Sequence, residues 1–398
     1  MFNIFKIVFC ISIGLILYVY FGYPLLLIVL SKFIKRPTKK GYIESTISLI
    51  IAVYNEERVI EDKIKNSLEL DYPERKLQII VASDGSTDKT NDIVEELIEH
   101  YSCNYELGSN EKDIYPEIIL NVQAERKGKS AALNDTVLRV AKGDIIVFTD
   151  ATTFLKEDAI KKLVRNFSDE KIGAVCGKIF FNNPYDSSIS QNESLYWKYE
   201  EFLRKKESEI GVLPFVSGAF YGLRKHLYTP VKAGLPDDSV SPLGVYKKGY
   251  RAVFEEETVA YERSANTLNG EFKIKSRGVV REMGAIFSFK ELLNPFKYPL
   301  LSWVLFAHRL LRWLVGFFLA GIFITNLFLL GGSFYNLTLG CQIIFYSLAL
   351  IGFLFRKELR AWRVLTLSFY FCLVNTAAMW GIIQFLLGKN KAVWEPVR

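Results

Sequence analysis

The sequence predicts an α/β fold in which a mostly parallel sheet, flanked by helices, is joined to transmembrane helices. Four apolar runs of strand length lie between residues 46 and 150, and helical stretches separate them. Long runs without any charged residue lie on both sides of this region. Strands that alternate with helices imply parallel pairing through right-handed crossovers.

Each element of the first half follows from its own pattern. The apolar runs predict the four strands, and the amphipathic stretches after the first three predict helices. Residues 102–115 are polar and predict an exposed loop. The predicted strands are 47–53, 77–82, 117–122 and 144–149, and the predicted helices are 57–70, 88–100 and 130–141.

The pattern becomes less regular after residue 150. It predicts helices over 159–167 and 187–210 and strands over 172–181, 215–223 and 250–255. Residues 286–312 mix apolar and basic residues and include Trp303, which favours a helix in the membrane interface. An ordinary amphipathic packing helix is the alternative for this segment.

Three uncharged runs predict the membrane spans: residues 7–31, 313–355 and 364–388. A span needs roughly 20 apolar residues, so the middle run is about twice too long for one helix. Residues 331–333 (Gly-Gly-Ser) are a natural turn. We therefore expect one span before the α/β region and three after it. A signal peptide is the alternative for the first run, but the run is too long and no small-residue cleavage site follows it.

Basic residues predict the orientation of the spans. Five of them directly follow the first run, at positions 32, 35, 36, 39 and 40, and a second group lies at 356, 357, 360 and 363. The positive-inside bias places both groups, and hence the α/β region, in the cytosol of a multi-pass cell-membrane protein. The tail 389–398 would then lie outside, although it is itself basic.

Charge and composition exclude several classes of function. The formal net charge of +7 comes mostly from the groups beside the spans, which indicates contact with membrane lipids rather than nucleic-acid binding. The five cysteines form no CxxC pair, and the three histidines are isolated. A disulfide framework, a zinc site and a histidine-based catalytic triad are therefore not expected.

Polar residues follow all four early strands. They are residues 54–56, Asp84, residues 125–129 and Asp150. Ligands of open parallel sheets bind outside the carboxyl ends of the strands, so these clusters predict a site for an anion held with a cation. Residues 128–130 resemble the end of a P-loop, but Gln123 occupies the position where that motif needs glycine. No GxGxxG, HExxH or GxSxG motif is present.

The motifs occur in a fixed order. After the four strand-end clusters come the small-residue segment 217–219, the pair Asp237-Asp238, and Gly249-Tyr250. This set resembles the family-2 glycosyltransferases with the GT-A fold, most of all the membrane-anchored branch related to cellulose, hyaluronan and poly-N-acetylglucosamine synthases. The resemblance implies a first span and basic segment (1–40), a cytosolic GT-A nucleotide-diphospho-sugar transferase domain (41–285), an interfacial helix (286–312) and three C-terminal spans with a tail (313–398).

The resemblance also implies roles for individual residues. Asp150 would bind a divalent metal, Mg²⁺ or Mn²⁺, although Thr152 replaces the second aspartate of the usual Asp-x-Asp motif. Asp88 is expected to cap a helix instead of binding ligand. The donor nucleotide sugar would be bound by Tyr54, Glu56 and Asp84 at the nucleoside and by Lys127, Lys129, Arg277 and Arg281 at the diphosphate.

Asp238 is the expected catalytic base because the family places an acidic pair about eleven residues before a Gly-aromatic pair, and Asp238 lies eleven before Gly249. Asp237 is the alternative base, and a plain polar turn at both positions is the structural alternative. The segment around Arg277 and Arg281 lacks the Gln-x-x-Arg-Trp motif of processive synthases, which argues against polymer extrusion.

These expectations favour an inverting glycosyltransferase that uses a UDP-sugar and a lipid-linked or polysaccharide acceptor in cell-surface glycan synthesis. A processive polysaccharide synthase is the second hypothesis. A non-catalytic nucleotide-sugar-binding membrane protein and a transporter subunit are further ones. Uncharged spans argue against a transport pathway, and mutation of Asp238 would separate an enzyme from a pure binder.

Overall fold

A mixed sheet of eight strands organises the region between the membrane-type helices. The computed structural model describes residues 2–106, 115–182, 188–263, 268–355 and 362–389. The strands are β1 (Ile47–Val53), β2 (Leu77–Ser83), β3 (Glu117–Val122), β4 (Ile145–Asp150), β5 (Thr153–Leu155), β6 (Ile172–Asn182), β7 (Phe220–Arg224) and β8 (Arg251–Arg263). Their order is β3-β2-β1-β4-β7-β6-β8-β5.

The first four strands are parallel, as the sequence predicts, and their ends are in register. Val53 pairs with Ser83, Ser83 with Val122, and Ala52 with Asp150. Side chains of β1 and β2 are buried on both faces, which is why these strands read as continuous apolar runs. Strand β7 lies antiparallel to β4, and β8 is parallel to β6. The matched register brings the polar residues after β1, β2 and β4 to one edge of the sheet.

Helices cover both faces of the sheet, and two hydrophobic clusters fill the space between them. The helices of the α/β region are α3 (Ile60–Leu68), α4 (Thr90–Glu106), α5 (Lys129–Asp135), α6 (Ala159–Val164), α7 (Ser188–Glu209), α8 (Asp237–Lys247) and α9 (Leu268–Ser288). Helix α5 continues into a π-helical turn, Thr136–Val140.

Membrane-type helices lie at both ends of the chain. The first consists of α1 (Phe2–Leu17) and α2 (Tyr23–Phe33), joined by a π-helical turn directly before Pro24. After α9 come α10 (Pro299–Val304), α11 (Leu311–Trp313), α12 (Val315–Leu327), α13 (Ser333–Leu354) and α14 (Arg363–Leu386). The predicted turn at residues 331–333 lies between α12 and α13.

Within the described ranges, three helices are long and apolar enough to cross a membrane: Asn3–Phe33, Ser333–Leu354 and Arg363–Leu386. The fourth predicted span differs from the expectation. Helix α12 is short, and it forms a bent pair with Pro299–Trp313, with an angle of 53° at the break. The count rises to four only if this pair is one broken span. The membrane helix α14 packs tightly on α9, since a Cβ at Gly381 would lie 2.5 Å from the carbonyl oxygen of Ser276.

Other predicted boundaries are also corrected. The segment 286–312 is not one helix: it holds the end of α9, a 3₁₀ turn (Lys290–Leu293), and helix again from Pro299. The predicted strand 215–223 begins only at Phe220, and the residues before it form a loop. Helix α4 extends to Glu106, into the predicted polar loop, whose remainder at 107–114 lies outside the described residues. The basic residues 356, 357 and 360 and the tail from residue 390 also lie outside the described residues.

Candidate active site

A cavity of about 1670 Å³ opens at the carboxyl ends of β1, β2 and β4. It is lined by most of the residues that the sequence singles out. Of the ten, nine line it, and Lys127 does not: Tyr54, Glu56, Asp84, Lys129, Asp150, Asp237, Asp238, Arg277 and Arg281. Asp150 and Asp238 therefore border the same space.

The turn after β1 is held in an uncommon backbone conformation. Asn55 has a φ of 56°, in the left-handed region that asparagine tolerates better than most residues. Its side-chain oxygen accepts a hydrogen bond of 2.7 Å from the amide of Thr87. This bond ties the β1 turn to the β2 turn and positions Tyr54 and Glu56 beside the cavity.

Asp84 organises the loop that follows β3. Its carboxylate accepts hydrogen bonds of 2.8 Å from the backbone amides of Lys127 and Gly128. The side chain is almost fully buried. These hydrogen bonds give Asp84 a structural role in addition to its predicted contact with the nucleotide. Asp88 caps α4, as expected, through hydrogen bonds to Thr90.

Arg126, which was not predicted as a site residue, lies over the ring of Tyr54, a residue predicted to bind the nucleoside. The guanidinium of Arg126 lies 3.7 Å from the ring centroid of Tyr54, a distance typical of a cation–π contact. Lys127, the neighbouring residue predicted to bind the diphosphate, is exposed instead. The fold of the loop brings Arg126, Gly128 and Lys129 to the cavity wall but not Lys127.

Asp150 lies at the end of β4 between two lysines. The ammonium of Lys129 is 2.6 Å from its carboxylate and 3.4 Å from the carbonyl oxygen of Gly218. Asp150, with smaller contributions from Asp237 and Asp238, raises the pKa of Lys129 in spite of its burial. Lys129 therefore pairs with Asp150 and carries a charge that suits a diphosphate.

The second lysine lies beneath the same turn, and the sequence analysis did not find it. Lys63 is completely buried and donates hydrogen bonds to the hydroxyl of Thr149, at 3.1 Å, and to the carbonyl oxygen of Thr153. Burial lowers its pKa to about 7, against the opposing effect of Asp150. A lone lysine in an amphipathic helix carries no sequence signal that would distinguish it from a surface charge.

The donor set for a metal is small. Among the residues that the structure describes, no group of three His, Cys, Asp or Glu side chains is arranged to hold an ion. Asp150 offers one carboxylate to the cavity, and Thr152 lines it as well. Mg²⁺ often takes one or two carboxylates and completes its shell with substrate phosphates and water, so these residues fit an ion that arrives with a phosphorylated ligand.

The two acidic candidates at the start of α8 differ in their surroundings. Asp237 is buried and accepts a hydrogen bond of 3.0 Å from the hydroxyl of Tyr221. Asp238 is half-buried at the cavity wall. Burial, Asp237 and Glu282 raise the pKa of Asp238 to about 7. A carboxylate with a pKa near neutrality is suited to accept a proton, which favours Asp238 as the base.

Gly218 approaches this carboxylate closely. A Cβ at this position would lie 2.9 Å from Oδ2 of Asp238. The loop 217–219 therefore needs a residue without a side chain at position 218.

The two arginines of α9 have different environments. Arg281 donates to the carbonyl oxygens of Gly234 and Leu235, at 3.3 and 3.1 Å, and so holds the segment that leads to Asp237. Arg277 lines the cavity, where burial and the charge of Arg281 lower its pKa to about 10. Arg281 thus has a positioning contact in addition to any contact with a ligand.

Comparison with known families decides the class. The family described as Glycosyl transferase family 2 matches residues 48–229, and Glycosyl transferase family group 2 matches residues 145–383. The chain belongs to glycosyltransferase family 2. The expected family and enzyme class are confirmed.

Two curated bacterial proteins are similar to this glycosyltransferase. The probable glycosyltransferase YdaM of Bacillus subtilis is 26% identical over 322 residues, which cover 78% of this chain and 72% of that protein. The poly-beta-1,6-N-acetyl-D-glucosamine synthase of Staphylococcus aureus is 27% identical over 237 residues, which cover 58% of this chain. The match spans only 53% of the length of the synthase.

A solved structure confirms the GT-A fold. The mannosyltransferase PcManGT from Pyrobaculum calidifontis, in complex with GDP-Man and Mn²⁺, superposes with a TM-score of 0.70. The alignment covers 96% of this chain and 99% of that one, at 22% sequence identity.

Proposed function

We propose that this protein is a membrane-bound, inverting glycosyltransferase that moves a sugar from a nucleoside-diphosphate sugar to a lipid-linked or glycan acceptor at a cell membrane. One observation carries the proposal: Asp150, Lys129 and Asp238 border the same cavity, and Lys129 pairs with Asp150. This arrangement provides a positive charge for the leaving diphosphate and a base for the acceptor hydroxyl.

The donor diphosphate lies, in this proposal, beside Lys129 and Asp150 with the nucleoside toward Tyr54 and Glu56. Lys129 is charged and donates to the phosphate oxygens as negative charge develops on the leaving group. A divalent ion held by Asp150 and the phosphates would add Lewis-acid stabilisation of the same charge. The structurally similar PcManGT was solved with GDP-Man and Mn²⁺, which supports a nucleoside-diphosphate sugar and a divalent ion as ligands.

Asp238 acts as the general base. Its carboxylate takes the proton of the acceptor hydroxyl while the hydroxyl oxygen forms a bond to the anomeric carbon. The bond from that carbon to the diphosphate breaks, and the electron pair leaves with the nucleoside diphosphate. Attack from the face opposite the leaving group inverts the anomeric configuration.

The basic residues after the first membrane helix support a cytosolic catalytic domain, where nucleotide sugars are available. A cavity that touches both the sheet and the membrane helices supports an acceptor that resides in the membrane.

A donor panel tests the proposal. The purified full-length protein is incubated with UDP- and GDP-sugars in Mg²⁺, in Mn²⁺ and in chelator, and release of nucleoside diphosphate is measured. We expect turnover with at least one donor, reduced by chelator, and NMR of the transferred sugar should show an inverted anomeric centre. Absence of turnover with every donor would overturn the enzyme assignment for this site.

A further inference from the structure

A buried lysine lies beneath the turn that presents Asp150 to the cavity. Lys63 is fully buried on the inner face of α3. Its ammonium donates hydrogen bonds to the hydroxyl of Thr149, at 3.1 Å, and to the carbonyl oxygen of Thr153. Both of these acceptors are uncharged, although lysine is almost never fully buried without a charged partner, because such burial costs free energy. An apolar residue would be expected at this position if it served packing alone.

The two acceptors mark the ends of the turn. Thr149 is the last residue of β4 that pairs with β7, and Thr153 is the first residue of β5, which pairs with β8. Residues 150–152 lie between them, and all three line the cavity. Lys63 itself does not line the cavity. One side chain therefore joins both ends of the turn, and it can act on a ligand only through the turn.

A further hydrogen bond leads from Thr149 to the main chain of Asp150. The hydroxyl of Thr149, which accepts from Lys63, donates to the carbonyl oxygen of Asp150 at 3.4 Å. The amide of Asp150 donates to the carbonyl oxygen of Ala219, also at 3.4 Å. Both bonds are long and restrain the main chain weakly. The shorter bond from Lys63 to Thr149 therefore adds a restraint directly next to Asp150.

Asn66, one helical turn farther along α3, provides a comparison. Its side chain donates to the carbonyl oxygen of Leu155, at 2.9 Å, and accepts from the amide of Leu155, at 2.8 Å. These bonds attach β5 to the same helix, but they lie beyond the turn. Neither residue lines the cavity. Loss of Asn66 therefore reports how the attachment of α3 to β5 affects the site when the bonds to the turn remain.

We propose that Lys63 is a positioning residue that fixes the turn 150–152 in the geometry that receives a divalent ion and the donor diphosphate. The inference rests on the proposed glycosyl transfer and adds to it a residue that does not touch the substrate. The carboxylate of Asp150 pairs with Lys129 at 2.6 Å. When Lys129 binds the diphosphate instead, this restraint is lost. The direction of the Asp150 carboxylate then depends on the turn that Lys63 holds.

A double substitution of Lys63 and Thr149 tests the inference. Lys63→Met/Thr149→Val keeps the shapes of both side chains and removes their hydrogen bond together with both polar groups. Such paired replacement can be nearly neutral for stability, so we expect at most a modest change in melting temperature. Mn²⁺ binding to the full-length protein, measured by EPR with GDP or UDP present, should weaken roughly 10-fold, since residues that orient metal ligands typically contribute about 10–100-fold. Loss of the lysine charge alone would strengthen the binding of a cation, so weaker binding reports the geometry.

Two single substitutions separate the hydroxyl of Thr149 from its packing. Thr149→Ser keeps the hydroxyl and loses a methyl group, whereas Thr149→Val keeps the shape and loses the hydroxyl. If hydrogen bonding positions the turn, Thr149→Ser retains most of the Mn²⁺ affinity and Thr149→Val does not. A purely structural role in the core predicts the reverse order, because Thr149→Ser leaves a small cavity.

Two other residues of α3 give the controls. Lys65 is exposed and pairs with Glu61, so Lys65→Met removes the same charge from the same helix without affecting the turn. Asn66→Leu removes both hydrogen bonds to Leu155 and should lower the melting temperature more than the double substitution does. The Mn²⁺ affinity should change little in either control.

Binding and turnover distinguish this inference from the proposed function. Equal Mn²⁺ affinity in the unmodified protein and in Lys63→Met/Thr149→Val would overturn the role of Lys63, as would an equal loss of affinity in Asn66→Leu. Absence of Mn²⁺ binding by the unmodified protein with either nucleotide would overturn the metal site at Asp150 and this inference with it. Turnover in the donor panel reports the proposed function separately, because Lys63→Met/Thr149→Val should still release nucleoside diphosphate, at a reduced rate.

Discussion

The two acidic sites of the cavity have opposite surroundings. Asp150 has the ammonium of Lys129 at 2.6 Å and the buried Lys63 beneath its turn. Asp238 has Asp237 beside it and Glu282 nearby, and both raise its pKa. Cations therefore dominate the surroundings of Asp150, whereas burial and two carboxylates outweigh the effects of Arg281 and Lys129 on the pKa of Asp238. The difference shows how one cavity can stabilise a leaving anion and also hold a base.

The largest expected effect comes from replacing the base. Asp238→Asn removes the proton acceptor but keeps the size of the side chain, so kcat should fall by roughly 10²–10⁴-fold while the affinity for the donor changes little. Asp237→Asn, which keeps a hydrogen-bond acceptor for Tyr221, should cost less. Steady-state kinetics and nucleotide titration measure both. A larger loss at 237 than at 238 would reverse the assignment.

Replacing the other aspartate should disturb the donor end. Asp150→Asn removes the carboxylate that would hold a divalent ion, so the stimulation by Mn²⁺ should disappear and kcat/KM should fall by about 10²-fold. Asp144, at the opposite end of β4, bonds to Thr46 and serves as the control. Asp144→Asn should leave the metal response intact. An unchanged metal titration in Asp150→Asn would exclude this residue as the ligand.

The close approach at Gly218 offers a steric way to perturb the base. Gly218→Ala introduces a Cβ 2.9 Å from Oδ2 of Asp238, and such overpacking typically costs about 1–3 kcal/mol. We expect kcat to fall several-fold while the metal titration stays unchanged. Gly340→Ala in α13 is the control, because no atom lies within 4 Å of its added Cβ. Equal activity of the two variants would mean that Asp238 moves freely.

The smallest expected effect is the response of stability to pH. Burial and the neighbouring carboxylates raise the pKa of Asp238 to about 7 in the folded protein, whereas an aspartate in an unfolded chain has a pKa of about 3.9. Between these values the folded state holds the extra proton, so this group lowers stability as pH rises from about 4 to about 7. As the pH rises over this range, the melting temperature of the unmodified protein should therefore fall relative to that of Asp238→Asn.

The same group sets the pH profile of activity. Because the base must be deprotonated, kcat/KM should rise with pH and level off above about 7. A profile that is flat from pH 5 to 8 would contradict the raised pKa of Asp238.

The elements that appear in the sequence as long apolar runs could be predicted. Strands β1, β2 and β4 are buried on both faces, so they appear as apolar runs, and their parallel register brings Asp84 and Asp150 to one edge. The different surroundings of Asp150 and Asp238 could not be predicted from such patterns. Lys63 comes from a helix whose pattern gives no reason to single it out, and its significance arises only from contacts with a distant segment.

Boundaries were predicted less well where tertiary packing overrides local preference. The apolar residues 215–219 suggest a strand, yet they form the loop that brings Gly218 to Asp238. The break at Leu314, in contrast, lies next to the predicted boundary between the segment 286–312 and the uncharged run 313–355.

The packing of α14 on α9 links a membrane helix to the acidic pair Asp237-Asp238. Gly381 lets the two helices meet at backbone distance, and Arg281, farther along α9, holds the carbonyl groups just before Asp237. A membrane span that tilts to match a thicker or thinner bilayer would therefore shift the acidic pair relative to the sheet. Lipid chain length would then act on turnover.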